Sequence, residues 1–407
     1  MPPALETANK PADDHGFDIL FRDPAPSPST LACQIETATD MADVRGIWRD
    51  FEQHAICSAY QRFVWADTWC RTIGRETGAQ TVIAVLRDNQ GQISAILPFL
   101  THHRGPVRTA TWLGDANMNY HMGLFRRDRI AGFGAGALRT VLQTVARRHG
   151  VDLFALSNQP FMWDGFENPF ARLPHAPSAD IAYCQKLEGD FETFYTTQRS
   201  NKARSQLRRK ERRMTEECVL ESRAITDADE ALQLIDIYLE QKKVRFAKQG
   251  IANPFANQSV QAFLRNLVTT KDREGEPAMR LDVLYCDGKA IAIFGGSRIN
   301  QRYSVNIVSI TNGLEARNSP GEILLRDLVE RLYERGDKAF DLGVGDARYK
   351  REWCMPDPLF NTVFPVSVLG RCAAFAFDAE RILKRQVKSM PKAHALGQRM
   401  LAFFKPG

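Results

Sequence analysis

The sequence lacks the features of a membrane-spanning, secreted or disulfide-stabilised protein. No apolar run approaches the roughly 18 residues that a spanning helix needs, and the first residues contain no basic region followed by an apolar one. The eight cysteines are scattered and form no Cys-x-x-Cys pair, so their spacing favours neither a zinc site nor a disulfide scaffold. We therefore expect a reduced, cytoplasmic protein that holds no metal ion.

Two patterns of covalent catalysis are also missing. The sequence contains no Gly-x-Ser-x-Gly motif and no paired His and Cys signature, so it does not indicate a covalent enzyme intermediate. Charge is nearly balanced, with 54 Lys and Arg against 48 Asp and Glu, which leaves a net charge of +6. This mild excess suits an anionic small ligand as well as a nucleic acid, and we expect no DNA partner.

The 407 residues are sufficient for two domains. Residues 1–30 are rich in Pro, Asp and Ala, which predicts a disordered leader. Helix and strand signals then predict an N-terminal half over residues 31–187 and a C-terminal half over residues 188–369. A basic, amphipathic helical tail is expected over residues 370–407. Such a tail lies on an anionic membrane surface, packs across the two domains or stays disordered.

The most informative pattern covers residues 319–353. Ser319 suits a helix N-cap, Pro320 suits the first helical position, and Glu322 suits the return position of a capping box. Leucines at helical spacing follow until a glycine ends the helix. A predicted strand over residues 302–310 precedes this unit. The start of the helix then offers N–H groups and a positive dipole end to a pyrophosphate, although an ordinary βαβ unit that binds nothing also fits.

A strand and a glycine turn follow this helix, in the pattern Asp341-x-Gly343-x-Gly345-Asp346-x-x-Tyr349-Lys350-x-x-Trp353. Together with Ser319-Pro320-Gly321, the pattern resembles the acetyltransferase domain of the CelD type. That group belongs to the GNAT superfamily, is associated with polysaccharide biosynthesis and is similar in architecture to the FemAB peptidyltransferases. The resemblance spans about residues 31–369. It implies an α/β fold of two tandem GNAT-like halves, each with a mixed, mostly antiparallel sheet flanked by helices.

The resemblance also implies the reaction and the donor site. It implies acyl transfer from acetyl-CoA, or another acyl-CoA, to an amine or hydroxyl of a sugar or cell-envelope precursor. In GNAT folds the strand–loop–helix unit holds the pyrophosphate of acyl-CoA, usually through an Arg/Gln-x-x-Gly-x-Gly/Ala loop from which this chain departs. The implied donor-binding residues are Arg317, Asn318, Ser319, Gly321, Glu322, Gly343 and Gly345.

Acyl transfer from a thioester needs a held acceptor, a group that takes a proton and donors to the oxyanion. Asp341 or Asp346 is the candidate base. Tyr349 is the candidate donor to the leaving thiolate, and Lys350 is the candidate partner of a phosphate or of the oxyanion. Each residue also has a structural interpretation, such as a turn cap, core packing or a surface charge.

The N-terminal half contains no helix start capped like the one at Ser319, which indicates a structural and acceptor-binding role rather than donor binding. Its polar loop supplies Asn119, Tyr120 and His121 as candidate acceptor contacts, and a solvated loop fits the same residues. The other candidates for substrate contact are Arg204, Arg208 and Trp353.

A basic helix is predicted around residues 199–213, where Lys and Arg are concentrated. The concentration indicates a solvated face, a nucleic-acid patch or a groove for an anion. No aromatic residues for base stacking follow Tyr195 in this segment, which disfavours nucleic acid. Aminoacyl transfer from charged tRNA, as in FemAB proteins, is the alternative function. A catalytically inactive module that binds a partner in polysaccharide synthesis is a second alternative.

Overall fold

The computed structural model describes residues 34–273 and 275–377. The predicted leader lies outside the described residues, as does the predicted tail beyond residue 377. Residues 368–377 are helical. Within the described part of the chain, no helix is both long enough and apolar enough to cross a membrane.

The N-terminal half consists of a twisted sheet with helices on its faces. Its elements are β1 (Gln34–Ala38), α1 (Met41–Phe51), β2 (Ala55–Ile56), α2 (Phe63–Arg71), α3 (Ile73–Thr77), β3 (Gln80–Arg87), β4 (Ile93–Arg104), β5 (Val107–Trp112), β6 (Leu124–Arg126), α4 (Ala135–His149) and β7 (Leu153–Pro160). A small hairpin of β8 (Met162–Trp163) and β9 (Phe166–Glu167) follows. The aromatic helix α2 buries Trp65 and Trp69, which lie four residues apart on one face.

The C-terminal half repeats this plan. The strand β10 (Ala176–Lys186) leads into it. Its own elements are α5 (Phe191–Gln198), α6 (Asn201–Glu217), β11 (Leu220–Ala224), α7 (Ala228–Gln249), α8 (Gln258–Thr269), β12 (Arg280–Cys286), β13 (Lys289–Ile299), β14 (Arg302–Ile310), α9 (Pro320–Glu334), β15 (Ala339–Val344), α10 (Arg348–Trp353) and β16 (Met355–Pro365). The leucine stripe of α9 is buried, which confirms the amphipathic helix predicted there.

One mixed sheet runs through both halves, in the strand order β1-β3-β4-β5-β7-β16-β10-β15-β14-β13-β12-β11. Its neighbouring strands are antiparallel except at two places, β5–β7 and β14–β15. Both parallel ladders are short: β5 and β7 pair at two positions, and β14 and β15 pair at three. Each half therefore contains one pair of strands that separate soon after they meet, and the predicted mixed, mostly antiparallel fold is confirmed.

The hairpin β12–β13 turns at Asp287-Gly288, a dipeptide typical of two-residue hairpin turns. Asp287 and Gly288 have φ values of 49° and 74°, the left-handed conformation that a two-residue hairpin turn requires. The register shifts between Gly295 and Gly296, where β13 contains a β-bulge. A Cβ atom on Gly296 would stand 2.6 Å from the ring of Tyr303, so the glycine admits the neighbouring strand.

A disulfide joins Cys218 to Cys286, which the scattered cysteines did not predict. The two residues are 68 positions apart in sequence. They meet because Cys218 is the C-cap of α6, and β11, which begins two residues later, pairs Leu220 with Cys286. The pairing depends on strand register, which cysteine spacing does not report.

Candidate functional site

The start of α9 differs from the capping box that its sequence predicts. Ser319 has a left-handed backbone, with φ 57° and ψ 50°, and its side chain does not cap the helix. Its hydroxyl instead accepts a hydrogen bond from Lys210 Nζ at 2.7 Å. Glu322 forms an ion pair with Arg199 rather than turning back to the helix start. The capping-box prediction is therefore wrong, because Lys210 on α6 and Arg199 at the end of α5 contact the two side chains instead.

The loop before α9 nevertheless brings groups for an anionic ligand to the helix N-terminus. Lys210 supplies a cation, and the 15-residue helix supplies the positive end of its dipole. Asn318 is 1% exposed, and its Oδ1 has no hydrogen-bond partner among the described residues. Arg317 is exposed, with a carboxylate of Glu217 3.8 Å away. A Cβ atom on Gly321 would lie 2.6 Å from the Ile310 side chain, so glycine lets the helix start against β14.

The separation of β14 and β15 is bridged by a side chain from the N-terminal half. Their ladder ends at the pair Ser304 and Asp341. Beyond it, Asn119 donates from Nδ2 to the Val305 carbonyl at 3.1 Å and accepts at Oδ1 from the Val344 N–H at 3.4 Å. The amide thus takes the hydrogen bonds that the two strands no longer exchange. We call this region, from Ser304 to Val344 across the gap, the strand opening.

Asp341 lies at the base of the strand opening and is fully buried. Its carboxylate accepts hydrogen bonds from the Ser304 hydroxyl at 2.6 Å, the Tyr120 hydroxyl at 3.2 Å and the Gly343 N–H at 3.3 Å. Burial raises the pKa of Asp341 to about 6, against the opposing charge of Arg302. The group is therefore mostly ionised at neutral pH, and two hydroxyl groups connect it to its surroundings.

Lys350 reaches the strand opening from α10. Its Nζ donates to the Val344 carbonyl at 2.9 Å and to the Gly343 carbonyl at 3.4 Å. Burial lowers the pKa of Lys350 to about 8, an effect that the nearby Asp341 carboxylate opposes. Most of the population carries a positive charge at pH 7, so Lys350 brings a poorly hydrated cation to this site.

A second cation lies near Lys350 on α7. Lys242 is half-buried, and its Nζ lies 5.5 Å from the centre of the Tyr238 ring. Burial lowers the pKa of Lys242 to about 8, and the charges of Arg245 and Lys350 lower it further. The α7 side of the strand opening is therefore positively charged.

The two glycines of the motif have different surroundings. Gly343 has φ 71°, and a Cβ atom there would stand 2.5 Å from Asn119 Nδ2. Gly345 has φ 101° with open space where a Cβ would be. Both positions require a residue that tolerates positive φ, but only Gly343 also admits the side chain that bridges the opening.

The other predicted site residues divide into those near the opening and those away from it. Tyr120 contacts Asp341, and Tyr349 is half-buried on α10, where burial raises its pKa to about 12. Asp346 is exposed; it accepts from the Tyr183 hydroxyl at 2.6 Å and pairs with Arg351. Three residues lie away from the strand opening. His121 lines a cleft beside β5 and β7, Arg208 is exposed on α6, and Arg204 is half-buried on the same helix.

Trp353 is fully buried rather than open to a substrate. Its ring stacks on Tyr195, with centroids 5.7 Å apart, and lies under the Arg199 guanidinium. Its indole Nε1 has no hydrogen-bond partner among the described residues. The contacts give Trp353 a packing role, which was the structural interpretation of this residue.

Sequence reasoning missed four residues that complete the region: Tyr60, Lys210, Arg302 and Ser304. The Tyr60 hydroxyl accepts a hydrogen bond from Asn119 Nδ2 at 2.8 Å. The positive charge of Arg302 opposes the rise in the pKa of Asp341 that burial causes. Ser304 had only a weak signal, since Asn306 and Ser309 are also polar residues of β14. Lys210 had none, because its neighbours on α6 are equally basic.

Arg199 joins three elements of the C-terminal half and offers a test of this arrangement. Its side chain is 8% exposed and pairs with Glu322 on α9 and with Glu352 on α10, the latter at 2.8 Å. We expect Arg199→Met to lower the free energy of unfolding by about 2 kcal/mol, because Glu322 loses its counter-charge and Glu352 keeps only the exposed Arg348. Urea unfolding measures the loss.

Arg348→Met is the matched control for this variant. Arg348 pairs with the same Glu352 at 2.7 Å, but its side chain is 88% exposed. We expect a change within about 0.5 kcal/mol, as for other exposed ion pairs. Equal losses in the two variants would show that burial of Arg199 does not stabilise this junction.

Comparisons with known proteins agree with this architecture. Residues 201–351 match the family described as acetyltransferase (GNAT) domain, a match to less than half of the chain. No curated protein sequence matches. The matching segment, which contains α6, α9 and β15, is similar to that family.

Two solved structures share the fold over most of the chain. FemX is 9% identical, with a TM-score of 0.56, and the match covers 83% of this chain and 100% of that one. A conserved protein of unknown function from Bacteroides thetaiotaomicron VPI-5482 is 15% identical, with a TM-score of 0.51, covering 81% of this chain and 99% of that one. At these identities the likeness concerns the fold, and it confirms the predicted fold class.

Proposed function

We propose that the C-terminal half transfers an acyl group from acyl-CoA, with acetyl-CoA as the simplest donor, to an amine or hydroxyl of a sugar or cell-envelope precursor. The observation that carries the proposal is the strand opening beside the start of α9, bordered by Asp341 and Lys350. The match of residues 201–351 to a GNAT domain supports the acyl donor. The polysaccharide-related acceptor rests on the CelD-type pattern at residues 319–353.

The residues before and within α9 fit the donor. Lys210 beside Ser319 places a cation where the helix dipole also favours a pyrophosphate. The buried Oδ1 of Asn318, which has no partner among the residues that the structure describes, suits an N–H group of a pantetheine arm, which carries two amides. The thioester then lies at the strand opening, within reach of the side chains on β15 and α10.

The chemistry at the opening is direct transfer. The acceptor nitrogen or oxygen attacks the thioester carbonyl carbon, the carbon–sulfur bond breaks, and the CoA thiol leaves. Asp341 takes the acceptor proton through the hydroxyl of Tyr120 or Ser304, to which it is already hydrogen-bonded. Lys350 stabilises negative charge on the carbonyl oxygen, and Tyr349 donates to the leaving sulfur.

Calorimetric titration with acetyl-CoA and desulfo-CoA tests the donor site. We expect Lys210→Ala to weaken binding of both compounds about tenfold, because it removes one charge-assisted contact worth about 1.4 kcal/mol. Arg147→Ala removes an equal charge from the exposed face of α4 and serves as the control, with unchanged affinity expected. Full affinity in Lys210→Ala, or no binding to the unaltered protein, would reject the proposed donor site.

A second candidate, aminoacyl transfer from charged tRNA, is favoured by the outer face of α6. Arg208, Arg209, Arg212 and Arg213 are exposed on the helix that also places Lys210 at the start of α9. A tRNA contact there predicts binding that weakens steeply as salt rises. Salt-dependent tRNA binding without CoA binding would favour this candidate, and binding of neither ligand would favour a non-catalytic partner-binding module.

A further inference from the structure

The sheet of the N-terminal half contains its own strand opening, between β5 and β7, and a cleft of about 680 Å³ lies there. Residues of β10 and β16 also line this cleft. The ladder of β5 and β7 ends after the pair Ala110 and Phe154. Beyond that point Thr111 on one strand and Ala155 on the other line the cleft. This volume is that of a small-molecule site. No part of it overlaps the segment that matches the acetyltransferase domain, since its lining residues lie outside 201–351.

A strained residue is fixed in the wall of this cleft. Asn158 has φ 53°, a left-handed conformation that asparagine tolerates at a cost. Its N–H donates to Asn361 Oδ1 at 2.9 Å, its carbonyl accepts from the His121 N–H at 3.1 Å, and its Oδ1 accepts from the Ser178 hydroxyl at 2.9 Å. Its Nδ2 donates to no residue in the described part of the chain, so a preorganised donor remains for a ligand.

The lining chemistry favours a neutral, hydroxyl-rich ligand over an anion. Among the described residues, the lining has one carboxylate, Asp180, one guanidinium, Arg104, and three imidazoles, those of His102, His103 and His121. Seven neutral hydroxyl or amide side chains also line the cleft. Such groups both donate and accept, as sugar hydroxyl groups do, whereas an anion requires an excess of cationic donors.

The cleft lies next to the strand opening of the C-terminal half. His121 lines the cleft, and Asn119, two residues earlier, bridges β14 and β15. Two residues span at most about 7 Å of extended chain. A ligand that reaches from His121 towards Asn119 therefore arrives at the groups around Asp341.

We propose that this cleft binds a neutral saccharide and holds it as the acceptor, with one end directed along the Asn119–His121 loop to the strand opening. The acceptor role rests on the proposed function; the binding itself does not. Asn158 Nδ2 and Asp180 supply a donor and an acceptor for ring hydroxyls, and the apolar side chains of the wall cover the C–H face of a sugar ring.

The test is a titration of the full chain with cellotriose, maltotriose and, as an anionic probe, inorganic pyrophosphate, without CoA present. Ligand-observed NMR detects weak binding. Two variants alter the cleft: Ala155→Phe extends a side chain into it, and Asp180→Asn removes its carboxylate. Asp128→Asn, at a carboxylate that is 67% exposed in the same half, is the matched control.

We expect at least one trisaccharide to bind and pyrophosphate not to bind at this cleft. Both cleft variants should weaken saccharide binding at least tenfold, and the control should leave it unchanged. The inference would be overturned if neither trisaccharide bound. The inference would also be overturned if saccharide affinity were unchanged both in Asp180→Asn and in a folded Ala155→Phe.

The outcomes separate this inference from the proposed function. Acetyl-CoA binding that requires Lys210, without saccharide binding, would reject the acceptor cleft and keep the donor site. Saccharide binding without acetyl-CoA binding would keep the acceptor cleft as a saccharide site and reject the donor site. Acetyl-CoA affinity that is lost in Ala155→Phe and kept in Lys210→Ala would overturn both, because the donor would then occupy the N-terminal cleft.

Discussion

Lys350→Met is expected to lower the rate of acyl transfer about 100-fold at pH 7, the loss typical of removing one donor to a developing oxyanion. Lys350 is 8% exposed and lies at the strand opening through its contact with the Val344 carbonyl. Methionine keeps the length of the side chain and removes its charge. Steady-state kinetics should show the loss mainly in kcat, because the contact strengthens as the transition state forms.

The matched control for this variant is Lys338→Met. Lys338 is exposed in the same half, so its replacement removes an equal charge without touching the opening. The melting temperature of Lys350→Met should fall by only a few degrees, since the variant loses hydrogen bonds to two carbonyl groups and no buried ion pair. Loss of folding in Lys350→Met would instead support a structural role for this lysine.

The pH dependence separates the roles of Lys350 and Asp341. Activity should rise with pH through about 6, as Asp341 loses its proton, and fall through about 8, as Lys350 loses its charge. Lys350→Met should remove the fall, and Asp341→Asn should remove the rise from the residual activity. A profile unchanged in both variants would contradict the proposed roles.

The pKa shifts of Lys350 and Asp341 also determine how their contributions to folding stability change with pH. The folded-state pKa of Lys350 is below its usual 10.5, so its contribution becomes more favourable as pH rises between about 8 and 10.5. The folded-state pKa of Asp341 is above its usual 3.8, so its contribution becomes less favourable as pH rises from 3.8 to about 6.

Gly343→Ala is expected to destabilise the protein by about 3 kcal/mol and to abolish transfer. About 1–2 kcal/mol comes from placing alanine in a left-handed conformation. The remainder comes from the contact with Asn119 Nδ2, which would stand 2.5 Å from the new Cβ atom. Relief of that contact displaces Asn119 from Val305 and Val344, so the geometry of the strand opening is lost.

Gly336→Ala is the control for the cost of placing alanine in a left-handed backbone conformation. Gly336 has φ 76°, close to the 71° of Gly343, and nothing lies within 4 Å of its Cβ position. Chemical denaturation should show a loss of about 1–2 kcal/mol there with activity retained. The double variant Gly343→Ala with Asn119→Ala should recover part of the stability. Additive losses in the double variant would show that the two side chains do not compete for the same space.

The motif around Asp341 and Lys350 could be predicted because its spacing is local and carries a resemblance. The sequence also predicts β14, the hairpin after Cys286 and the buried face of α9, since each has its own period or turn residues. The strand opening was not predictable to the same extent. It depends on a ladder that stops after Ser304 and on a side chain from the other half.

Ser319 shows why a correct local pattern gave a wrong contact. Serine, proline and glutamate stand where a capping box places them, but Lys210 lies 109 residues earlier in the chain and takes the serine hydroxyl. Arg199 likewise takes Glu322. The partner of each charged side chain depends on how the helices pack. Because α6 carries many Lys and Arg residues, the sequence does not indicate that Lys210 is the one that contacts the start of α9.

The most direct test of the central claim is a crystal structure of the protein with desulfo-CoA. The account predicts a pyrophosphate at the start of α9, within hydrogen-bond distance of Lys210 Nζ, and a pantetheine arm that enters between β14 and β15 with its end near Lys350. Desulfo-CoA in the cleft between β5 and β7, or bound away from both openings, would contradict the assignment of the donor site to the C-terminal half.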